Sequence, residues 1–160
     1  KTFNSGFETF TLTNGVFIRP DEDDSWRFRA TEHLIANVND HFSIGPALVY
    51  QITDYGDGDN VQWFSAGVRP IIHFNKYISL AFEGGVDWVR DDGAGTSDFL
   101  YKLTFAPQVS LGGRFMSRPV LRAFITYALW GYDFVGQVGG NDYLNENDGV
   151  TAGVQMEVWW

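Results

Sequence analysis

The final stretch of this chain, residues 150–160, leaves few folds open. Read with a period of two, it separates into two faces. Val150, Ala152, Val154, Met156, Val158 and Trp160 fall on one side; Thr151, Gly153, Gln155, Glu157 and Trp159 fall on the other. Successive side chains of a strand point to opposite faces, so this segment is a β-strand with one apolar and one polar wall. About eleven residues with an outward aromatic at the very end is the pattern of a strand that crosses a bilayer. A helix would scatter both sets around its axis.

The alternation recurs six times. Segment 26–38 puts Trp26, Phe28, Ala30, Leu34, Ala36 and Val38 opposite Arg27, Arg29, Thr31, His33 and Asn37. Segment 42–53 sets Ile44, Leu48, Tyr50 and Ile52 against Ser43, Gly45, Gln51 and Thr53. Segment 61–74 sets Phe64, Val68, Ile72 and Phe74 against Ser65, Gly67, Arg69 and His73. In 78–89, Ile78, Leu80, Phe82, Val86 and Trp88 oppose Ser79, Glu83 and Asp87. In 98–111, Phe99, Tyr101, Leu103, Phe105 and Val109 oppose Asp98, Lys102, Thr104, Gln108 and Ser110. In 119–130, Leu121, Ala123, Ile125, Tyr127 and Leu129 oppose Arg122 and Thr126. Threonines blur an eighth segment, 6–13. Glu32 alone disobeys, landing on the apolar face of its strand.

The connections alternate too. Segments 39–41 and 75–77 are tight turns and 112–118 is fairly short, whereas 14–25, 54–60, 90–97 and 131–149 are longer and rich in Asp, Asn and Gly. Short turns at one rim and long loops at the other is the arrangement of outer-membrane barrels, short turns periplasmic. Aromatics near the strand ends, among them Trp26, Trp63, Trp88, Trp130 and Trp160, read as interfacial belts. The expected fold is all-β: a transmembrane antiparallel up-and-down β-barrel with about eight strands visible, as a single domain over 1–160 or the C-terminal part of one. A soluble sandwich also alternates, but it would have to solvate a charged face on nearly every strand. Composition agrees with the membrane reading, at 17% aromatic and 18 glycines. The absence of cysteine excludes disulfides and thiolate metal sites. The net charge of −9, concentrated in the loops, argues against a nucleic-acid partner.

The inward set carries the chemistry. Arg29, Lys102, Arg122 and Glu157 present donors and acceptors to a lumen, where they can exchange partners with sugar hydroxyls or solvate one another. Trp159 gains nothing there as a lipid anchor, so it either stacks on a pyranose ring or packs the lumen. His33, His41 and His73 lack metal-ligand spacing, and no cofactor or catalytic constellation is expected.

The ending Gln155-Met-Glu-Val-Trp-Trp160 resembles the C-terminus of the maltoporins, trimeric sugar-specific porins of Gram-negative outer membranes. Val68-Arg-Pro70, Ser117-Arg-Pro119 with Val-Leu-Arg122, Tyr127-Ala-Leu-Trp130 and Gly131-Tyr-Asp133 are similar to the family's last third in order and spacing, and the likeness covers roughly 26–160. The resemblance implies a bacterial outer-membrane homotrimer of eighteen-stranded barrels, passing oligosaccharides along a slide of aromatics flanked by polar tracks. Trp159 matches one slide residue. A second slide tryptophan aligns with Met116, which strand parity carried back from Arg122 places inward; a thioether there is a softer, less planar surface. An eight-stranded barrel is filled by its own side chains. Two expectations follow: a portion of a longer porin, which barrel geometry favours, or a small closed non-conducting barrel with a structural or adhesion role.

Overall fold

A computed structural model describes residues 7–18, 26–56 and 59–158. Eight strands form one antiparallel meander in chain order: β1 (Phe7–Ile18), β2 (Trp26–Asn39), β3 (Phe42–Asp54), β4 (Asn60–His73), β5 (Ile78–Asp91), β6 (Thr96–Ser110), β7 (Val120–Trp130) and β8 (Asp148–Glu157). Each strand pairs with its sequence neighbours, and among the described residues β1 and β8 are not paired with each other. The strands run 10 to 15 residues, enough to cross hydrocarbon at the usual tilt. Two boundaries differ most from the sequence reading. β1 continues to Ile18, because Asn14 to Ile18 pair in register with Ala30 to Trp26. The 90–97 segment shrinks to a four-residue turn between β5 and β6 as both strands extend over it; Gly95 takes a φ of +67° there.

The two faces separate as the period of two requires. Leu103 is 62% and Val154 72% exposed, and Leu121, Ile125, Phe105 and Tyr101 lie on the same outward surface. Exposure of a whole apolar face has no place in a water-soluble sheet and suits hydrocarbon. Stacked Phe99 and Tyr101 (ring centroids 6.0 Å apart) and the edge-on pair Phe82–Phe105 (5.5 Å) reinforce this surface. Glu32 stands on it as the alternation requires, with Leu48 its register partner on β3; no contact among the described residues explains the carboxylate.

The other face is concave. Residues of β2 to β6 line one cavity and residues of β4 to β8 a second. This face is polar over only part of its area. Ile35, Ile71, Ala81 and Ala106 form a buried cluster near the short-turn rim, with Phe115 packed on it. Phe115 comes from the 111–119 connection between β6 and β7, which folds across the face rather than turning at the rim. Its backbone N–H donates to Asn37 Oδ1 at 2.9 Å. A Cβ at Gly45 would lie 2.5 Å from the Phe115 ring, so only glycine fits beneath it. That connection is longer than the four-residue turn at the opposite rim, so loop length does not alternate strictly.

At the long-loop rim, 131–147 carries two 3-10 turns, Tyr132–Phe134 and Asn141–Tyr143. It is tied down by Asp98 and Asp133, which accept N–H bonds from Asp133 and Ser97, and by Tyr143, whose hydroxyl bonds the Val150 backbone.

A charge in the middle of the outward face carries a desolvation cost that the inward face avoids. Leu103→Arg is expected to lower stability in lipid by roughly 2–4 kcal/mol and Thr104→Arg by under about 1 kcal/mol. Denaturant titration of both variants in liposomes measures the difference, and equal losses would contradict the assignment of faces.

Candidate functional site

The concave face is organised in three tiers of polar contacts, each crossing several strands. The tier nearest the long-loop rim starts at β2. Arg29, Gln51 and Trp63 are register partners across β2, β3 and β4, and the Arg29 guanidinium lies over the Trp63 ring, 5.2 Å from its centroid. Trp63 Nε1 donates to Asp87 Oδ1 at 3.1 Å. The other oxygen of Asp87 faces Lys102 Nζ at 3.3 Å. A cation, an indole, a carboxylate and an ammonium thus form one chain of contacts over β2, β4, β5 and β6.

The middle tier is the Arg69–Glu83 pair, in which Nε and Nη2 approach one carboxylate oxygen at 2.7 and 2.6 Å. Thr104 and Thr126 share a 2.7 Å hydroxyl contact beside it. Lower still, Glu157 at the end of β8 is held by two guanidinium groups: Arg122 at 2.8 Å on one oxygen and Arg118 on the other. Arg118 also donates to the carbonyls of Phe115 and Ser117. This fork therefore ties the inward-folded connection and β7 to the last turns of β8. Both arginine side chains are 8% exposed and Glu157 is 23% exposed. Removing the shared carboxylate would leave two nearly buried cations without it.

At the short-turn rim, Ser43 Oγ donates to Asn37 Oδ1 at 2.8 Å and lies 2.9 Å from His73 Nε2. Asn37 Oδ1 accepts from Phe115 as well, so this buried network fixes the connection against β2 and β3. Among the described residues no group of three or more His, Asp or Glu side chains converges on a metal position.

Of the residues singled out from the sequence, Arg122 and Glu157 meet directly, and Arg29 and Lys102 belong to the upper tier. Trp159 lies outside the described residues. Met116 is 42% exposed in the β6–β7 connection and lines neither cavity. Parity carried back from Arg122 does not reach it, because 111–119 is not strand; Phe115 faces the cavity instead.

Three inward aromatics were missed or misread, and the clamping role of the inward carboxylate Asp87 was not foreseen. Aromatic character near a strand end assigns Trp63 and Trp130 to the interfacial belts, yet both turn to the concave face. Trp130 is buried, with its Nε1 donating to the Glu146 carbonyl at 2.9 Å and its ring edge-on to Tyr143. Phe124 lines the lower cavity. Asp87 clamps Trp63 and Lys102 together. The signal was available for all three aromatics: Trp63 shares parity with Ser65 and Arg69, and Phe124 and Trp130 share it with Arg122 and Thr126. Phase decides the face here, and proximity to a strand end does not.

The arrangement gives a wall on which fixed aromatic surfaces alternate with ion pairs, all open to one side. Such a wall offers a hydroxylated solute both a ring face and exchangeable hydrogen bonds. In comparison with known families, the model described as LamB porin matches residues 3–160.

Loss of the shared carboxylate should be felt in folding. Glu157→Ala is expected to lower the unfolding free energy by about 3 kcal/mol, the lower end of the range for breaking a buried pair. Arg90→Ala, which removes only an exposed pair with Asp92, should cost less than about 1 kcal/mol. Denaturation of the two variants side by side checks this; similar small losses would mean that the fork is not structural.

Proposed function

The chain belongs to the LamB porin family, a family of sugar channels in bacterial outer membranes, and from that premise we propose that it passes maltodextrins or related oligosaccharides by passive diffusion along its concave face. The observation that carries this reading is the tiered wall, in which indole and phenyl rings (Trp63, Phe124) sit beside ion pairs (Asp87–Lys102, Arg69–Glu83) from the long-loop rim to the middle of the sheet. A pyranose has an apolar ring face and a belt of hydroxyls that each donate and accept. It can slide from one aromatic to the next while its hydroxyls change partners among the charges, and no step needs covalent chemistry.

The sequence alternation assigns Trp159 to the same path, and Arg122 with Glu157 supplies polar partners towards the short-turn rim. Arg29 and Lys102 do the same near the long-loop rim. The long-loop rim is placed outside the cell and the short-turn rim in the periplasm. The proposed assembly is a homotrimer, whose apolar outward strands contact lipid and neighbouring copies.

Ion current through the reconstituted protein in planar bilayers is expected to fall saturably as maltodextrins are added. Trp159→Ala should weaken that block by roughly three- to tenfold, the worth of one aromatic contact. A steady current that no oligosaccharide reduces would contradict the proposal. One observation favours a second reading, a non-conducting barrel: Phe115 and its connection lie across the concave face. Insertion of the protein without any current would support that reading.

A further inference from the structure

The upper tier contains a feature that a generic polar lumen does not require. Trp63 is held at two points, its ring nitrogen and one ring face. Its Nε1 is bonded to Asp87, Asp87 is itself anchored by Lys102 at 3.3 Å, and Arg29 covers one ring face at 5.2 Å. Arg29 does not line the adjoining cavity, whereas Trp63, Asp87 and Lys102 do. The cavity, about 610 Å³, therefore meets the part of the indole that Arg29 leaves open, with the carboxylate and the ammonium at its edge. That volume lies inside the roughly 300–1,000 Å³ of small-molecule sites.

Preorganisation is the physical point. A tryptophan in a water-filled lumen would ordinarily lose side-chain freedom when a ligand lands on it. Here the hydrogen bond and the overlying guanidinium have already removed that freedom, so less ordering entropy opposes binding. The two edge groups are complementary as well: a carboxylate accepts from hydroxyls and an ammonium donates to them.

We propose that Trp63, Asp87 and Lys102 form a pyranose-binding subsite near the long-loop rim, Trp63 as the stacking surface and the two charges as hydroxyl partners, with Arg29 holding the indole from behind. The subsite rests on the sugar-channel reading and adds to it a first landing point for the solute. Its ligand is a neutral sugar unit of an oligosaccharide. The local charges of Asp87 and Lys102 cancel, and the indole offers nothing to an anion.

The test is calorimetric titration of the detergent-folded wild-type protein and its variants with maltotriose, alongside circular dichroism to confirm the β-sheet signal. Trp63→Ala is expected to weaken binding by roughly three- to tenfold, with Trp63→Phe losing less because a ring remains. Asp87→Asn should weaken it also, since the charged acceptor and its ion pair with Lys102 are lost. Ile125→Val, on the outward face, should bind as the wild type does. Should Trp63→Ala fail to fold, Trp63→Phe and Asp87→Asn decide: unchanged affinity in both overturns the subsite. Unchanged affinity in a folded Trp63→Ala overturns it likewise and leaves the channel reading standing. A wild-type protein that binds no maltotriose overturns the subsite together with the reading on which it rests.

Discussion

Inside hydrocarbon, a backbone N–H or C=O without a partner costs several kcal/mol, and there is no water to supply one. Every other feature of this chain follows from that constraint. Strands of 10 to 15 residues joined in strict sequence order satisfy each other's backbone groups from β1 through β8. The outer edges of β1 and β8 fall under the same constraint, so in a bilayer each must meet another strand. Once the backbone is committed to a ladder, side chains have only two directions, and the sequence spends one on lipid and the other on the concave wall.

That division explains how charges survive in a membrane protein here. Asp87, Lys102, Arg69, Glu83, Arg122 and Glu157 all point to the concave side, and each has an opposite charge within 3.3 Å. The pairs bridge neighbouring strands, so the contacts that could serve a solute also hold the sheet's curvature. The fork of Arg118 and Arg122 on Glu157 goes further by linking a connection to a strand. Phe115, seated over Gly45 and the small apolar cluster, fixes the other end of that connection. Burying such a ring is worth roughly 1.5–3 kcal/mol.

Much of the fold could be read from the amino-acid order because the period of two is rigid. Wherever a segment is strand, parity assigns the face, and Arg29, Lys102, Arg122 and Glu157 stand where alternation put them. Parity failed at Met116 because it was carried through residues that pair with no strand. It was overruled at Trp63 and Trp130, where aromatic character near a rim suggested a lipid belt although the phase pointed inward. Contacts between strands distant in sequence were beyond reach in principle. Nothing in the local pattern around Phe115 announces that it will cross to Gly45 and Asn37, since that depends on how the whole sheet curves. Asp87 was visible as an inward carboxylate, but its role as the clamp between an indole and an ammonium needs the register of three strands.

The central claim is that odd and even positions of a strand face different media. The chain contains no cysteine, so single cysteines placed in turn at Leu100 to Ala106 of β6 report the medium without interference. With the protein in outer membranes, a membrane-impermeant thiol reagent should label positions 102 and 104 readily and leave 101, 103 and 105 protected. Uniform labelling along the segment, or labelling in the opposite phase, would contradict the account.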